Sequence, residues 1–132
     1  MEKILAFLQE NPTFYYATVD GDKPRVRPFG FYMAFEGKLY FGMGKHKESY
    51  AQTVANPNVE ICTANAKGKW IRIRGIAVFD ERQAVIDKAF EVMPNLKEIY
   101  NEKTGFTVGN FYIKDGVAEF ADMEGNFESI KF

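Results

Sequence analysis

Apolar and polar residues alternate along several short segments of the chain, a pattern that is typical of half-buried β-strands. The alternation is clearest over residues 70–79, where Trp70 and two arginines share one face and two isoleucines share the other. Short Gly-containing turns separate most of these segments. We predict strands over residues 14–19, 24–35, 39–42, 58–65, 70–79, 108–114, 117–122 and 127–132.

Other segments have the periodicity of amphipathic helices, or the residues that begin and end helices. Ile4, Leu5 and Leu8 give the N-terminal segment MEKILAFLQENP one apolar side. Asn56-Pro57 ends a second helix, and Asp80 is positioned to cap a third. We predict helices in the N-terminal segment, over residues 47–55 and over residues 81–92, with one or two further turns in LKEIY after Met93-Pro94.

About seven short strands with helices between them predict a mainly β or α+β fold, in which six to seven antiparallel strands form a small barrel flanked by two to three helices. Pro28 lies inside a predicted strand, and because proline cannot donate to a ladder it indicates an edge position or a bulge. The length of 132 residues suits one domain spanning residues 1–132.

Composition and charge narrow the classes of function. The formal net charge is −1, with 17 basic and 18 acidic residues, which argues against nucleic acid or a membrane surface as a partner. No apolar run approaches the roughly 20 residues of a membrane span. The charges in the N-terminal segment are unlike those of a signal peptide. Cys62 is the only cysteine and cannot form an internal disulfide, so we expect a cytoplasmic location.

Three basic residues, Lys45, His46 and Lys47, crowd the start of the second predicted helix. A helix N-terminus carries about half a positive charge and unpaired N–H groups, so it favours an anion and repels cations. Gly42 and Gly44, just before the basic residues, let the backbone approach a ligand closely. These features predict a phosphate site. The alternative is a solvated loop whose lysines point away from the helix.

Two predicted strands carry Arg-x-Arg pairs. Arg25 and Arg27 share one face of the first strand, and Arg72 and Arg74 share a face with Trp70 in the other. Arginine binds phosphate through paired hydrogen bonds, and an aromatic side chain packs against planar rings. Together with the basic residues at the helix start, the two pairs favour an anionic ligand that contains a ring. For either pair alone, a solvated sheet face is the alternative.

Other chemistries have little support in the sequence. One histidine and one cysteine give no zinc-ligand spacing, so we predict no metal site. Ser49 and His46 lack an obvious orienting acid, which argues against a hydrolase triad. Cys62 alternates into a buried strand position that is typical of a small core residue. A cofactor that performs its own chemistry fits the remaining features.

The chain resembles the pyridoxamine 5′-phosphate oxidase-like, FMN-binding split-barrel family, and within it the nitroimidazole-resistance-type branch. The resemblance runs in order through FYYATVDGDKPRVRPFGF, LYFGMGKHKESYAQTVANPNVEIC, WIRIRGIAVF and FYIKDGVAEFAD. It implies an antiparallel split barrel, a homodimer, and FMN bound at the subunit interface.

The resemblance also implies which residues bind FMN. The strand over residues 25–29 lies along the flavin ring, mainly through its backbone, and Arg27 holds the ribityl-phosphate tail. Lys47 binds the phosphate, with Lys45 and His46 beside it. The expected cofactor-binding residues are Arg25, Val26, Arg27, Pro28, Phe29, Gly42, Met43, Lys45, His46, Lys47, Trp70 and Arg72.

Trp70 replaces a flavin-associated glutamine of the oxidases, and the residues of the oxidases' substrate end have no counterpart near the C-terminus. Both differences argue against pyridoxamine phosphate oxidase activity. The hypothesis is therefore an FMN-dependent oxidoreductase that transfers hydride between a reductant such as NAD(P)H and a small acceptor, with no protein residue assigned as catalytic. The alternatives are a non-catalytic flavin or haem binder or sensor, with His46 as haem ligand, and a deazaflavin-dependent reductase that uses Arg72 and Arg74.

Overall fold

The computed structural model describes all 132 residues and contains four helices and eight strands. The helices are α1 (Glu2–Glu10), α2 (Glu48–Ala55), α3 (Gln83–Val92) and α4 (Leu96–Ile99). The strands are β1 (Phe14–Asp20), β2 (Lys23–Phe29), β3 (Tyr32–Phe35), β4 (Lys38–Gly44), β5 (Asn58–Ala64), β6 (Lys69–Phe79), β7 (Val108–Asp122) and β8 (Phe127–Lys131). The predicted mainly β fold with flanking helices is confirmed, with one strand and one helix more than the largest numbers expected.

All the strands pair antiparallel in one sheet of order β2-β1-β5-β6-β7-β4-β3, and β8 pairs with β7 beyond the end of β4. β7 is the longest strand, and its first part pairs with β4 while its last part pairs with β8. β2 and β3 end the sheet. Pro28 therefore lies on an edge strand, as predicted, where its missing N–H removes no ladder hydrogen bond.

The segment predicted as one strand over residues 24–35 is two strands. It breaks at Gly30 and Phe31, because β2 pairs with β1 while β3 pairs with β4 at the other end of the strand order. Phe29 and Tyr32 are three residues apart, so their Cα atoms lie within about 11 Å of each other. The sheet must therefore curl until its two edge strands meet at this crossing.

The turn predicted at Asp115-Gly116 is a bulge inside one continuous strand, β7. Arg74 pairs with Val117 and Ile76 with Lys114, so two residues of β7 oppose Gly75 alone. Asp115 accommodates the extra residue by adopting a left-handed backbone conformation, with a φ of 54°. The turn prediction was wrong because β6 stays paired on both sides of the position, and an extra residue in a continuous ladder makes a bulge.

The concave face of the curled sheet encloses a core of 17 buried residues. Its largest side chains are aromatic and fully buried, and they contact one another edge-on or tilted, as Phe14 and Phe41 do at 5.4 Å between ring centroids. A second core of six residues lies under α3 and α4, with Tyr40 and Phe31 on the sheet side and Val85 on the helix side. Tyr40, Gly42 and Gly44 face this second core by strand alternation, while Phe41 and Met43 face the first.

The helices differ in detail from the predictions. α1 buries Ile4, Phe7 and Leu8, while Leu5 is only half-buried. α3 begins two residues later than predicted, and Asp80 does not cap it. The Asp80 carboxylate instead accepts hydrogen bonds from the Tyr40 hydroxyl and from the guanidinium and backbone N–H of Arg82, and Arg82 is the N-cap residue of α3. The helices of the structure are all too short or too polar to cross a membrane.

Candidate functional site

A cleft of about 800 Å³ opens beside the crossing from β2 to β3, a size within the usual range of small-molecule sites. β2, β4, the loop from β4 to α2, and the segment joining α3 to α4 form its walls. Seven of the residues expected to bind the cofactor line this cleft: Arg27, Pro28, Phe29, Gly42, Met43, His46 and Lys47.

Arg27 reaches the cleft from β2 and is held by neutral oxygen atoms. Its Nη1 donates to the Thr18 hydroxyl at 2.8 Å and to the Tyr16 carbonyl oxygen at 3.3 Å, and its Nη2 donates to Gln52 Oε1 at 2.7 Å. No carboxylate oxygen lies within ion-pair distance of Arg27, whereas other arginines have such a partner. Burial lowers the pKa of Arg27, but a guanidinium remains charged at neutral pH. Glu48 also lines the cleft and acts on Arg27 electrostatically from beyond ion-pair distance, so the Arg27 charge has no direct carboxylate partner there.

Side chains of α2 and β1 fix the position of that guanidinium. Thr18 donates its hydroxyl proton to Gln52 Oε1 at 2.6 Å, so Thr18 and Gln52 both bind Arg27 and bind each other. Next to them, the Tyr16 and Thr53 hydroxyl oxygens are 2.7 Å apart, and Thr53 donates to the Ser49 carbonyl oxygen. Burial raises the pKa of Tyr16 well above its usual value, so its hydroxyl stays neutral. This buried polar layer seats α2 on β1.

The three basic residues before α2 have three different surroundings. Lys45 points away from the cleft, and its Nζ lies 2.7 Å from a carboxylate oxygen of Glu81. The His46 ring stacks on Phe106, with 3.8 Å between ring centroids. Lys47 is exposed, is the N-cap residue of α2, and makes no ion pair. Lys47 and His46 therefore remain at the cleft, whereas Lys45 is neutralised outside it.

The second Arg-x-Arg pair lies on the opposite face of the sheet from Arg27. Register and strand alternation put Trp70, Arg72 and Arg74 on this outer face. The guanidinium groups of Arg72 and Arg74 both contact the Glu119 carboxylate, and the Arg72 distance is 3.5 Å. Within one chain, the two arginine pairs do not hold the same ligand.

Two further expected cofactor-binding residues lie outside the cleft. Val26 also faces the outer side of the sheet and is 67% exposed. Arg25 shares a face with Arg27, but its Nε pairs with an Asp20 carboxylate oxygen at 3.2 Å. The structure thus brings together seven of the twelve expected residues and leaves Arg25, Val26, Lys45, Trp70 and Arg72 elsewhere on the chain.

Cys62 lies on the outer face and is half-buried, so the prediction that it belongs to the core was wrong. Its neighbours Ile61 and Thr63 point inward instead, and they determine which face of β5 is buried. Burial raises the pKa of the Cys62 thiol, which keeps it protonated and a poor nucleophile. No group of three or more His, Cys, Asp or Glu side chains is arranged to hold a metal ion.

Several residues of the site were missed by the sequence reasoning. Thr18 and Gln52, which hold Arg27, could have been found, because Ser49, Gln52 and Thr53 form an unusual polar stripe at helical spacing on the buried side of α2. Met93, Leu96 and Tyr100 also line the cleft, but no local pattern relates them to β4. The position of these three residues at the cleft depends on how α3 and α4 pack against the sheet.

The floor of the cleft contains an unusual feature at Gly42. The partner of Gly42 on β7 is Asn110, whose side-chain oxygen and nitrogen are buried and have no hydrogen-bond partner. A Cβ on Gly42 would lie 2.7 Å from Asn110 Oδ1, so only glycine leaves room for the carboxamide. An unpaired buried amide costs about 1–3 kcal/mol of stability.

Known proteins share both the sequence pattern and the fold. Residues 1–125 match the family described as Pyridoxamine 5′-phosphate oxidase. A NimC/NimA family protein from Clostridium acetobutylicum is 39% identical, with a TM-score of 0.91 over 100% of this chain and 92% of that chain. The sequence matches no curated protein.

More distant structures share the fold alone. An FAD-binding protein from Mesorhizobium loti is 15% identical, with a TM-score of 0.62 over 92% of this chain and 94% of that one. A haem-binding protein from Mycobacterium smegmatis is 14% identical, with a TM-score of 0.67 over 91% of this chain and 52% of that one. These likenesses confirm the predicted split barrel. By sequence pattern and by structure, the chain belongs to the pyridoxamine 5′-phosphate oxidase-like family, in its NimC/NimA, nitroimidazole-resistance-type branch.

Proposed function

We propose that the protein binds FMN in the cleft beside the β2–β3 crossing and acts as an oxidoreductase. The observation that carries this proposal is the pair of cations without an ion-pair partner, Arg27 and Lys47, in a cleft that also has an apolar wall of Phe29, Phe31, Met43, Met93 and Leu96. An anionic group bound to a flat apolar ring system matches both parts of such a cleft. The proposal covers residues 1–132 as one flavin-binding domain.

Each part of FMN has suitable residues in the cleft. Lys47, His46 and the free N–H groups of the first turn of α2 fit the phosphate, because cations and a helix N-terminus both favour an anion. Arg27 uses three hydrogen bonds to hold its place, so two of its five N–H groups remain for the ribityl-phosphate tail. Phe29 and Phe31 offer apolar surface to the ring.

When bound, FMN supplies two-electron hydride transfer between a reductant such as NAD(P)H and a small acceptor. The contribution of this chain is to bind and orient the cofactor and to keep water from it. Phe31, Met93 and Leu96 line the cleft and present no polar side-chain groups there. Lys47 and Arg27 attract an anionic ligand because neither charge is neutralised by a carboxylate.

We also propose a homodimer in which the outer face of the sheet is the interface. Tyr15 and Val26 lie on this face and are 49% and 67% exposed, and neighbouring apolar side chains at such exposure are typical of interfaces. Trp70 and Arg72 lie on the same face. A second copy packed on this face would bring Trp70 and Arg72 towards the flavin of the partner, which agrees with the expectation that both residues bind the cofactor.

The alternative cofactors have weaker support. As a haem ligand, His46 would have to give up its stacking on Phe106. A deazaflavin with a longer acidic tail needs additional free cations, but Arg72 and Arg74 are already engaged by Glu119. The single cysteine, Cys62, remains the basis for placing the protein in the cytoplasm.

Ligand titration and reduction of the bound cofactor test the proposal in two steps. The purified protein, after its native ligand is removed, is titrated with FMN and flavin fluorescence is recorded. We expect saturable binding at one site per chain, and then reduction of the bound flavin by NADH or NADPH under anaerobic conditions. Absence of FMN binding refutes the proposal. Binding without reduction by either donor supports the non-catalytic flavin binder instead.

A further inference from the structure

The Asn110 carboxamide is the only buried side-chain group in the chain that has no hydrogen-bond partner on either its nitrogen or its oxygen. Asn110 is 3% exposed. Its carbonyl oxygen accepts from the Asp80 N–H at 2.9 Å, and its strand position pairs with Gly42. Ladder pairing and strand structure therefore explain the backbone of this residue but not its side chain.

The carboxamide lies directly behind the cleft wall. Gly42 and Phe31 both line the cleft, and a Cβ on Gly42 would meet Asn110 Oδ1 at 2.7 Å and Phe31 Cδ2 at 3.4 Å. The space beside Gly42 is thus filled by the carboxamide on one side and by the edge of the Phe31 ring on the other. Both carboxamide atoms are enclosed in this conformation, so a ligand in the cleft reaches them only when the Phe31 ring moves aside.

A carboxamide presents a hydrogen-bond acceptor and two donors side by side. Its best partner is a flat edge on which an N–H stands beside a carbonyl oxygen. The flavin ring carries such an imide edge at N3 and its neighbouring carbonyl groups. The other carboxamide near the cleft, Gln52, already accepts hydrogen bonds from Thr18 and Arg27.

We propose that the Phe31 ring moves aside on binding, that Asn110 then binds the imide edge of the flavin beside Gly42, and that it so selects for an unsubstituted ring imide. This inference rests on the proposed function, because it needs FMN in the cleft. It assigns a purpose to the unpaired amide: the group is unsatisfied in the ligand-free protein and becomes paired on binding. Asn110 is then a specificity residue, and Gly42 is the position where the absence of a side chain lets the carboxamide lie next to the cleft.

The test compares FMN with 3-methyl-FMN, in which a methyl group replaces the N3 proton, by fluorescence titration and denaturant unfolding. Three proteins are used: the wild type, Asn110→Leu and the control Thr63→Val. Leucine keeps the approximate shape of asparagine without its polar groups. Thr63 is equally buried, but its hydroxyl is already paired with the Thr13 carbonyl oxygen and lies outside the cleft.

We expect the wild type to bind 3-methyl-FMN at least tenfold more weakly than FMN, and Asn110→Leu to bind both with similar, reduced affinity. Without ligand, Asn110→Leu should unfold at the same denaturant concentration as the wild type or a higher one, because an unpaired amide has been removed. Thr63→Val should lose stability and keep the wild-type preference for FMN.

The wild-type comparison alone decides the inference if Asn110→Leu does not fold. Equal affinity of the wild type for the two flavins overturns it, and so does an Asn110→Leu protein that still prefers FMN. A wild type that binds neither flavin refutes the proposed function itself, and this inference with it.

Discussion

Arg27 and the residues around it show how neighbouring groups decide which cation is available to a ligand. The Arg-x-Arg pairs and the basic residues before α2 contain four other cations that each have a carboxylate partner: Arg25, Lys45, Arg72 and Arg74. Arg27 is instead held by hydroxyl, amide and carbonyl oxygens, which position it without neutralising it. The charge of Arg27 therefore remains available for binding, while the other four are largely satisfied within the chain.

Replacing Lys47 tests the site at the level of one charge. We expect Lys47→Ala to weaken FMN binding by about 1–3 kcal/mol, the usual scale of a hydrogen bond to a charged group, as measured by titration of the ligand-free protein. Lys45→Ala is the matched control, because Lys45 is two residues away and already paired with Glu81. Equal losses in the two variants would contradict the assignment of Lys47 as the phosphate ligand.

The sequence indicates a cluster of cations in this region, but not which of them are left without a carboxylate partner in the fold. Lys45 and Lys47 flank the same histidine and look equivalent in the sequence. The partner of Lys45 is 36 residues away in Glu81, and the shared partner of Arg72 and Arg74 is Glu119 on a different strand. Such pairings depend on sheet register and loop packing, which local patterns do not contain.

The hydrogen bond between Tyr40 and Asp80 connects β4 to the segment before α3. The Tyr40 hydroxyl donates to Asp80 Oδ2 at 2.8 Å, and the Arg82 guanidinium binds the same carboxylate. Arg82 holds the pKa of Asp80 well below its usual range, and burial together with Asp80 raises the pKa of Tyr40 to about 12. Both shifts keep the carboxylate charged and the hydroxyl protonated at neutral pH.

We expect Tyr40→Phe to lower the free energy of unfolding by about 1.5–3 kcal/mol at pH 7, since it removes a hydrogen bond to a charged group. The pKa of Asp80 is lower in the folded state than in the unfolded one. The stability from its charge is therefore present above about pH 4 and is lost as the pH falls below that value. The effect of Tyr40→Phe in urea unfolding should shrink over the same range.

Tyr112→Phe is the control for this measurement. Tyr112 packs against Tyr40 with 5.6 Å between ring centroids, but its hydroxyl makes no hydrogen bond to another residue. Removing that hydroxyl should change stability little at any pH. A Tyr40→Phe effect that is independent of pH would mean that the Asp80 charge is not part of the interaction.

The bulge in β7 depends on a second glycine contact. A Cβ on Gly116 would lie 2.5–2.8 Å from three atoms of the Phe132 ring, and the Phe132 N–H donates to the Gly116 carbonyl oxygen at 2.9 Å. The residue after β8 thus covers the bulge. This contact explains why the position takes glycine although its backbone φ is not positive.

Gly116→Ala should therefore cost about 1–3 kcal/mol of unfolding free energy, the scale of overpacking a filled site. The same substitution in a Phe132→Ala background should cost less, because the ring that blocks the methyl group is gone. Urea unfolding of the four proteins in this double-mutant cycle gives the coupling. Equal costs in the two backgrounds would show that Phe132 is not the obstacle.

Most elements could be predicted from the sequence, because alternation marks a strand wherever one face is buried. The prediction failed where strand pairing overrode a local signal. Residues 24–35 contain no turn signal beyond Gly30 and are predicted as one strand, yet the chain changes strand partner at Gly30. Asp115-Gly116 is typical of a turn, yet β7 stays paired with β6 on both sides of it, so the strand continues. In both places, the deciding contacts come from residues distant in sequence.

On the scale of the whole molecule, the two faces of the sheet have different roles. One face encloses the larger core, the opposite face carries the second core under α3 and α4, and the cleft opens at the β2–β3 crossing, where residues of both faces line it. The outer face across β1, β2, β5 and β6 has no helix on it and presents Tyr15 and Val26 to solvent. Assembly through this face would bury apolar surface that a monomer leaves in water.

Val26→Lys tests the proposed dimer. We expect a charge at this 67% exposed position to shift the protein from dimer to monomer in light scattering, and to weaken FMN binding at the same time if the partner contributes to the site. Met123→Lys is the control, because Met123 is 85% exposed in the turn between β7 and β8. A monomeric wild type, or a dimer unaffected by Val26→Lys, would contradict this interface.

The neutral surroundings of Arg27 also make the amount of folded protein depend on the supply of its ligand. A ligand that binds only the folded chain raises the free energy of unfolding by about 2.7 kcal/mol when its concentration is 100 times its Kd. Small domains have only about 5–15 kcal/mol in total, so this is a large fraction. Ligand-free molecules unfold more often and are degraded sooner than loaded ones. If FMN is the ligand, as proposed, we expect the cellular abundance of the protein to follow the level of flavin phosphate.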